Sequence, residues 1–121
     1  MADLRQPPAI EAYGGGGFRV NGVRLEGSIL ILDDAAHLWG AGALETLTPT
    51  DFAQVIAAGP EAVEFVLLGT GTDTAPAPRE ARDALRLARL GLEVMSTPEA
   101  CRLYNILARD GRRIACCLLA V

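Results

Sequence analysis

A glycine-rich loop, Gly69-Thr70-Gly71-Thr72-Asp73-Thr74, directly follows an apolar run that ends at Leu68. Open α/β sheets bind ligands beyond the carboxyl ends of their strands, and free backbone amides in such a loop can hold a small anion. A dinucleotide fingerprint would need a third glycine and an immediate helix, whereas here Thr74 and two prolines follow. The loop therefore has two interpretations. It could form the wall of a small-molecule or anion pocket, in a binding protein or an unrecognised enzyme. Alternatively, it is a simple glycine turn through which the chain leaves the sheet.

Three further polar residues could line the same pocket if the fold brings them close to the loop. Tyr104 and Asn105 lie on a predicted helix, and Arg112 follows the glycine turn after it. A concave pocket lined by these side chains would favour ligand binding. The predicted pocket therefore contains Gly69, Thr70, Gly71, Asp73, Tyr104, Asn105 and Arg112.

Four arginines at spacings of three and four residues form a second candidate site: Arg79, Arg82, Arg86 and Arg89. These spacings place all four on one face of a helix in an otherwise acidic protein. Such a face suits an acidic partner or a membrane headgroup, although a solvated helix face is the simpler interpretation. On a later helix, Arg102 and the apolar Ile106 occupy outward positions. We interpret all six as a partner-binding surface.

The chain contains few residues of the kinds that catalysis needs. All eleven basic residues are arginine, which excludes a P-loop lysine, a Schiff-base lysine and a pyridoxal-phosphate anchor. Cys101 is near a predicted helix start, but its one possible imidazole partner, His37, is far away in sequence, so packing is the default interpretation. Cys116 and Cys117 are predicted to point to opposite faces of a strand. We predict no catalytic residues, no metal and no cofactor.

Length and charge limit the remaining possibilities. A chain of 121 residues fits one domain, 1–121, with residues 1–9 as a flexible leader. The net charge of -4 argues against a nucleic-acid partner. The N-terminus has no apolar core, so neither a signal peptide nor a membrane span is predicted. We expect a cytoplasmic protein, as a monomer or homodimer.

Strands followed by a helix are predicted for the first half of the chain. Apolar residues alternate with polar ones over residues 18–26, and Asn21-Gly22 favours a type I′ turn, so a tight hairpin is predicted. The apolar run over residues 28–32 predicts a strand covered on both faces. Thr48-Pro49-Thr50-Asp51 has the cap, proline and acidic residue of a helix start, and Gly59-Pro60 should stop that helix.

The second half alternates strands and helices. A buried strand is predicted over 63–68 and a short strand over 92–95, and the apolar residues of 114–121 predict a central strand. A helix is predicted over 79–90, ended by Gly91 at the C′ position. Ser96 should be the N-cap of the next helix, or Thr97 if Pro98 is the first helical residue. This helix is predicted to have one buried side and one polar side. Ala100, Leu103, Tyr104 and Leu107 share its buried stripe, and Arg102, Asn105 and Arg109 lie across from it. This order predicts an α/β domain.

Several segments together resemble one family. They are Tyr13-Gly14 leading to Phe18, Gly69-Thr70-Gly71, and Thr97-Pro98-Glu99-Ala100-Cys101-Arg102-Leu103-Tyr104-Asn105-Ile106-Leu107 followed by Gly111-Arg112-Arg113-Ile114-Ala115. The resemblance covers nearly the whole chain and is to a domain-of-unknown-function family that includes mitochondrial complex I assembly factor 3 and a human adipogenesis-associated protein.

The resemblance implies both a fold and a kind of function. The implied fold has three layers, with a mixed central sheet, helices on both faces and an N-terminal β-hairpin layer. The family's bacterial members have no established enzymatic activity, and its mitochondrial member binds other assembly proteins at the inner membrane. The leading hypothesis is therefore a non-enzymatic binding or assembly-type protein that assists a respiratory or membrane-protein complex.

Overall fold

The computed structural model describes residues 5–121, which form eight strands, three α-helices and two short 3₁₀ turns. The strands are β1 (Ile10–Gly14), β2 (Gly17–Val20), β3 (Val23–Glu26), β4 (Ile29–Leu32), β5 (Ala35–Leu38), β6 (Phe65–Gly69), β7 (Gly91–Met95) and β8 (Ile114–Leu118). The helices are α1 (Ala53–Ala62), α2 (Arg79–Leu87) and α3 (Thr97–Arg109), and the 3₁₀ turns are Leu44–Thr46 and Pro49–Phe52.

The central sheet has five strands in the order β5-β4-β8-β6-β7. β8 is in the middle, antiparallel to β4 and parallel to β6, while β7 runs parallel to β6. All five residues of β8 are buried. A strand that is covered on both faces has no solvent side, which explains its unbroken apolar sequence. The predicted mixed sheet and the central place of this strand are confirmed.

Two apolar cores cover the two faces of the central sheet, because successive side chains of β8 point in opposite directions. Cys116 packs in the core beneath α3, together with Phe18 and Val20 of the small N-terminal sheet. Cys117 packs in the other core, with Val55 of α1 and Leu85 of α2. Helices therefore cover both faces, and the adjacent cysteines belong to opposite cores, as predicted.

β1, β2 and β3 form an antiparallel sheet of three strands. Asn21 and Gly22 have φ angles of 47° and 80°, and positive φ at both positions is what the predicted type I′ turn requires. The predicted hairpin layer is confirmed and gains β1 as a third strand. Only Ile10 of β1 is buried, so this strand shows almost no alternation of apolar and polar residues.

The segment before β1 is bound to the body of the protein. Residues 1–9 are the predicted flexible leader, and residues 1–4 lie outside the described part of the chain. Arg5 Nε donates to Asp34 Oδ2 at 3.0 Å, and the Tyr104 hydroxyl donates to the carbonyl of Pro8 at 2.8 Å. The N–H of Ala9 donates to Asn21 Oδ1 at 3.0 Å. Arg5, Pro8 and Ala9 thus bond to the turn after β4, to α3 and to the turn between β2 and β3.

The end of α2 differs from the prediction. The helix ends at Leu87, and Arg89, not Gly91, adopts the left-handed conformation with φ of 62°. Arg89 N–H donates to the carbonyl of Arg86, and Leu90 N–H donates to that of Leu85, both at 2.9 Å, which is the Schellman pattern. Leu85 and Leu90 belong to the same core. Burial of Leu90 therefore sets the end of the helix earlier, and Gly91 begins β7.

Two smaller differences concern α1 and β5. α1 is interrupted at Gly59, where φ is 77°, and Pro60 begins one last turn, so the predicted helix stop is a kink. β5 was not predicted from the sequence. Its four residues are exposed or half-buried, because it is the outer strand beside β4, and so its sequence lacks an apolar pattern.

Candidate functional site

The predicted ligand loop lies at the carboxyl end of β6, against the N-terminus of α3. The Thr70 hydroxyl donates to the carbonyl of Asp73 at 2.7 Å, and Gly71 N–H donates to Thr97 Oγ1 at 2.9 Å. The Thr97 hydroxyl in turn donates to the carbonyl of Leu119 at 2.8 Å. The loop, the start of α3 and the residue after β8 are thus connected by internal hydrogen bonds. We call this set of contacts the Thr97 junction.

Gly69 is required in the Thr97 junction by close packing. A Cβ atom at Gly69 would lie 2.9 Å from Thr97 Cα and 2.8 Å from Leu118 Cδ2, which is closer than real Cβ atoms approach other atoms. An open cleft of about 340 Å³ lies above the loop; it is lined by residues 42–45, 70–73, 75, 119 and 120. Asp73 is exposed there, and its carboxylate would repel an anion.

The other three residues of the predicted pocket lie elsewhere. The hydroxyl of Tyr104 is buried and donates to the carbonyl of Pro8. The side chain of Asn105 accepts from the N–H of Ile10 at 2.9 Å and donates to its carbonyl at 2.8 Å. Asn105 was predicted to lie across from the buried stripe of α3, and instead it fixes β1 to that helix. Burial raises the pKa of Tyr104, so its hydroxyl stays protonated.

Arg112 lies at the far end of α3 from the Thr97 junction. The thirteen residues of α3 span about 20 Å at 1.5 Å per residue. Arg112 Nε donates to Glu64 Oε1 at 2.6 Å, and its guanidinium lies 5.8 Å from the centre of the Phe65 ring. The Arg113 N–H and the Arg112 side chain hold the pKa of Glu64 below its usual value. The fold therefore does not bring Arg112 to the glycine loop.

The cysteines are unsuited to nucleophilic chemistry. Burial raises the pKa of the Cys101 thiol to about 12, and those of Cys116 and Cys117 rise for the same reason. His37 is exposed on β5, an outer strand of the central sheet, and Cys101 is on the buried side of α3. The thiols are therefore packing groups in this fold.

Three arginines of α2 and Arg89, just beyond the end of that helix, form an exposed positive face. Asp83 accepts from Arg86 Nη2 at 3.1 Å and lies 3.8 Å from Arg79 Nε. Arg82 and Arg89 have no carboxylate partner among residues 5–121. One carboxylate for four guanidinium groups leaves this helix face with a net positive charge. We call it the arginine face.

The arginine face borders an open groove along β7, the outer strand of the sheet. The groove has a volume of about 470 Å³, and it is lined by Arg82, Arg86, Arg89, Leu90, Gly91, Leu92 and Val94. Leu92 and Val94 are half-buried and contact the core below α2. The sequence predicted a strand at residues 92–95 but not its place at the edge, which depends on the order of strands.

Arg102 and Ile106 lie on the opposite face of the central sheet from the arginine face. α3 packs against the core that contains Cys116, whereas α2 packs against the core that contains Cys117. Arg102 is exposed, and Ile106 is 56% exposed. The predicted partner-binding surface is therefore two separate surfaces, and of these only the arginine face adjoins the groove along β7.

Known proteins from several organisms are similar to most of this chain. Human NADH dehydrogenase [ubiquinone] 1 alpha subcomplex assembly factor 3 is 30% identical over 110 residues, which make up 91% of this chain and 59% of that protein. The chain thus spans less than two thirds of the human relative. An uncharacterised protein of Rhodobacter capsulatus is 34% identical over 91% of this chain and 82% of its own length.

A solved structure shows the same fold. The crystal structure described as an outer membrane protein from Bartonella henselae has a TM-score of 0.86 and 33% identity, covering 95% of this chain and 96% of the other. Within residues 5–121 of the present chain, no helix has the length and apolar character to cross a membrane. Residues 10–119 match the profile of the family described as "Protein of unknown function (DUF498/DUF598)". The chain belongs to this family.

Proposed function

We propose that this protein acts by binding other proteins, as an assembly factor for a respiratory complex or another membrane-protein complex. Its relatives support the proposal, since proteins named as assembly factors of NADH dehydrogenase align with most of this chain. The aligned part makes up 59% of the human protein, so the shared role is proposed for this domain.

The observation that carries the proposal is the arginine face next to the groove along β7. Arg82 and Arg89 offer guanidinium groups that no carboxylate of the described chain neutralises. Guanidinium groups form bidentate bonds with carboxylates, which suits recognition of an acidic partner. Leu92 and Val94 add apolar area beside these guanidinium groups. The surface thus resembles a protein interface, in which an apolar core has a polar rim.

The reactive side chains supply no comparable argument for catalysis. The high pKa of Cys101 leaves almost no thiolate at neutral pH. The polar groups of the Thr97 junction already bind one another, which removes Gly71 N–H and the Thr97 hydroxyl from the donors available to a ligand. Binding of a partner is thus the function that the geometry supports best.

The test uses two double variants that carry the same net charge. Arg82→Glu/Arg86→Glu alters the arginine face, and Arg102→Glu/Arg109→Glu alters exposed arginines of α3. Each exchange of Arg for Glu removes two charges, so both variants change the net charge from -4 to -8. Each is expressed in source cells that lack the native gene, and assembled NADH dehydrogenase is measured by native electrophoresis.

We expect assembled complex to fall in the deletion strain and to be restored by the native protein and the α3 variant, but not by the arginine-face variant. Affinity purification with membranes present, followed by mass spectrometry, should recover a partner that only the arginine-face variant loses. Full assembly of NADH dehydrogenase in the deletion strain would contradict the respiratory role. Equal partner recovery by both variants would contradict the surface.

A further inference from the structure

We infer that the partner contributes an extended acidic segment that pairs with β7 and becomes a sixth strand of the central sheet. This inference rests on the protein-binding role proposed above and specifies what the groove recognises.

The backbone of β7 has unpaired groups at its outer edge. The carbonyl of Met95 accepts from the N–H of Thr70 at 2.9 Å, so Met95 directs its backbone groups toward β6. Successive residues of a strand direct these groups to alternate sides, so Leu92 and Val94 direct their N–H and C=O groups away from β6. No partner for these four groups exists within residues 5–121. They can form the ladder of hydrogen bonds that an added strand needs.

The side chains along β7 predict an alternating pattern in the added strand. Leu92 and Val94 point toward the core below α2, so alternation places Glu93 on the other face of the sheet, where it is exposed. Side chains of the guest that project toward α2 would meet Arg82 and Arg86, and those on the other face would meet Glu93. Acidic residues are therefore favoured at every second position and disfavoured between them.

The same charges argue against a second copy of this chain as the occupant. If β7 paired with β7 of another copy in one continuous antiparallel sheet, both α2 helices would lie on the same face. Their arginine faces would then be neighbours, and like charges at an interface weaken it. An acidic segment neutralises the arginine face, whereas a second copy doubles its charge.

The other outer strand of the central sheet lacks this combination. The cleft beside Leu38 of β5 is lined by residues 30, 38–40, 50, 51, 53 and 54, which include Asp51 and no arginine. Leu38 itself is 65% exposed. An acidic guest strand would meet negative charge there. The charge pattern thus selects β7 over β5.

The test begins with selection of random dodecapeptides from a displayed library on the full-length protein. We expect enriched peptides to carry Asp or Glu at alternate positions with apolar or neutral residues between them. In NMR spectra, a selected peptide should shift the amide signals of Leu92 and Val94 and slow their hydrogen exchange. Recovery of no peptides, of peptides without this alternation, or of peptides that leave both amides unprotected would overturn the inference.

Two variants then separate strand pairing from charge attraction. Val94→Pro removes an N–H that β6 does not use, so the variant should keep its fold and bind the peptide at least tenfold more weakly. Val94→Thr keeps the N–H and is the matched control. Arg82→Glu/Arg86→Glu should also weaken binding at least tenfold, and N-methylation of the peptide at its pairing amides should have the same effect. Unchanged affinity after N-methylation would overturn the inference even if Val94→Pro does not fold.

The variants also distinguish this inference from the proposed function. If the natural partner binds Val94→Pro normally but fails to bind Arg82→Glu/Arg86→Glu, strand pairing is wrong and the arginine face keeps its role. If the partner binds both normally, the proposed surface itself is wrong. Sedimentation of the protein without peptide as a dimer that Val94→Pro dissociates would assign β7 to a second copy and overturn the inference.

Discussion

At the carboxyl end of β6, the polar groups of the Thr97 junction bind one another, and Gly69 lies in van der Waals contact with the start of α3. Along the outer edge of β7, the backbone groups of Leu92 and Val94 have no partner within the described residues. The arginine face lines the groove beside them. The glycine loop is the more conspicuous region in the sequence. Internal hydrogen bonding, and not composition, therefore separates a structural region from one available to a partner.

Substitution at two glycines should give the largest contrast between the regions. Gly69→Ala would place a Cβ atom against backbone and side-chain atoms of the Thr97 junction, so we expect a loss of about 3 kcal/mol in the free energy of unfolding. Gly91→Ala at the start of β7 would bring Cβ to an ordinary 3.6 Å from Phe65 Cβ. Its expected effect is within about 0.5 kcal/mol. Urea denaturation measures both, and equal losses would show that the Thr97 junction is packed no more tightly than the start of β7.

Removal of one hydroxyl should give the next largest effect. Thr97→Val keeps the shape of a fully buried side chain but leaves Gly71 N–H and the carbonyl of Leu119 without their partner. We expect a loss of about 2 kcal/mol, because unsatisfied buried polar groups are costly. Thr46→Val removes an exposed hydroxyl that donates to Ala43 and should change stability by less than about 0.5 kcal/mol. A Thr97→Val protein as stable as Thr46→Val would show that the junction contributes little.

The arginine face should contribute little to stability. Asp83 and Arg86 are 43% and 76% exposed in their side chains, and exposed ion pairs are worth well under 1 kcal/mol. We therefore expect Arg82→Glu/Arg86→Glu to change the free energy of unfolding by less than about 1 kcal/mol while partner binding is lost. Thermal and urea unfolding measure the stability of the variant, and a binding assay measures its affinity for the partner. A large loss of stability would mean that the face is structural.

The smallest effect is expected from a pH-dependent contact at the other end of β6. Because the pKa of Glu64 is lowered in the folded protein, its contribution is fully present above the usual glutamate pKa, near 4.5. It is lost as the pH falls through the folded value. Glu64→Gln should therefore make unfolding less sensitive to acid below pH 4.5 than in the native protein. Glu45→Gln, at an exposed position, is the control. An unchanged acid profile in Glu64→Gln would show that Glu64 does not contribute to the pH dependence of stability.

Strong local patterns explain which parts of the fold are predictable. The apolar residues of β8 indicated a central strand, and Asn21-Gly22 indicated the turn between β2 and β3, because burial on two faces and positive φ each restrict residue type. The end of α2 was mispredicted at Gly91, because the long-range burial of Leu90 forces Arg89 into the left-handed region. Local preference alone favours glycine there.

The candidate site was less predictable, because it depends on contacts between distant parts of the chain. The helical spacing of the four arginines predicted a single helix face, but Arg89 lies beyond the end of α2 at Leu87. That β7 is the outer strand follows from the strand order, which no local pattern states. The pairing of Asn105 with Ile10 spans 95 residues, so helical periodicity placed this side chain on the wrong side. For the same reason, Tyr104 and Arg112 were assigned to a loop that they do not approach.

The position of β8 has a consequence for synthesis of the protein. β4 pairs with β5, and β6 pairs with β7, but β4 and β6 are joined only through β8. While the polypeptide emerges from the ribosome, the β4–β5 hairpin and the parallel β6–α2–β7 unit cannot join into one sheet until β8 has been synthesised. Each of these two parts meanwhile exposes an unpaired inner strand, and such edges promote aggregation. Addition of β8 therefore removes both exposed inner edges in a single step.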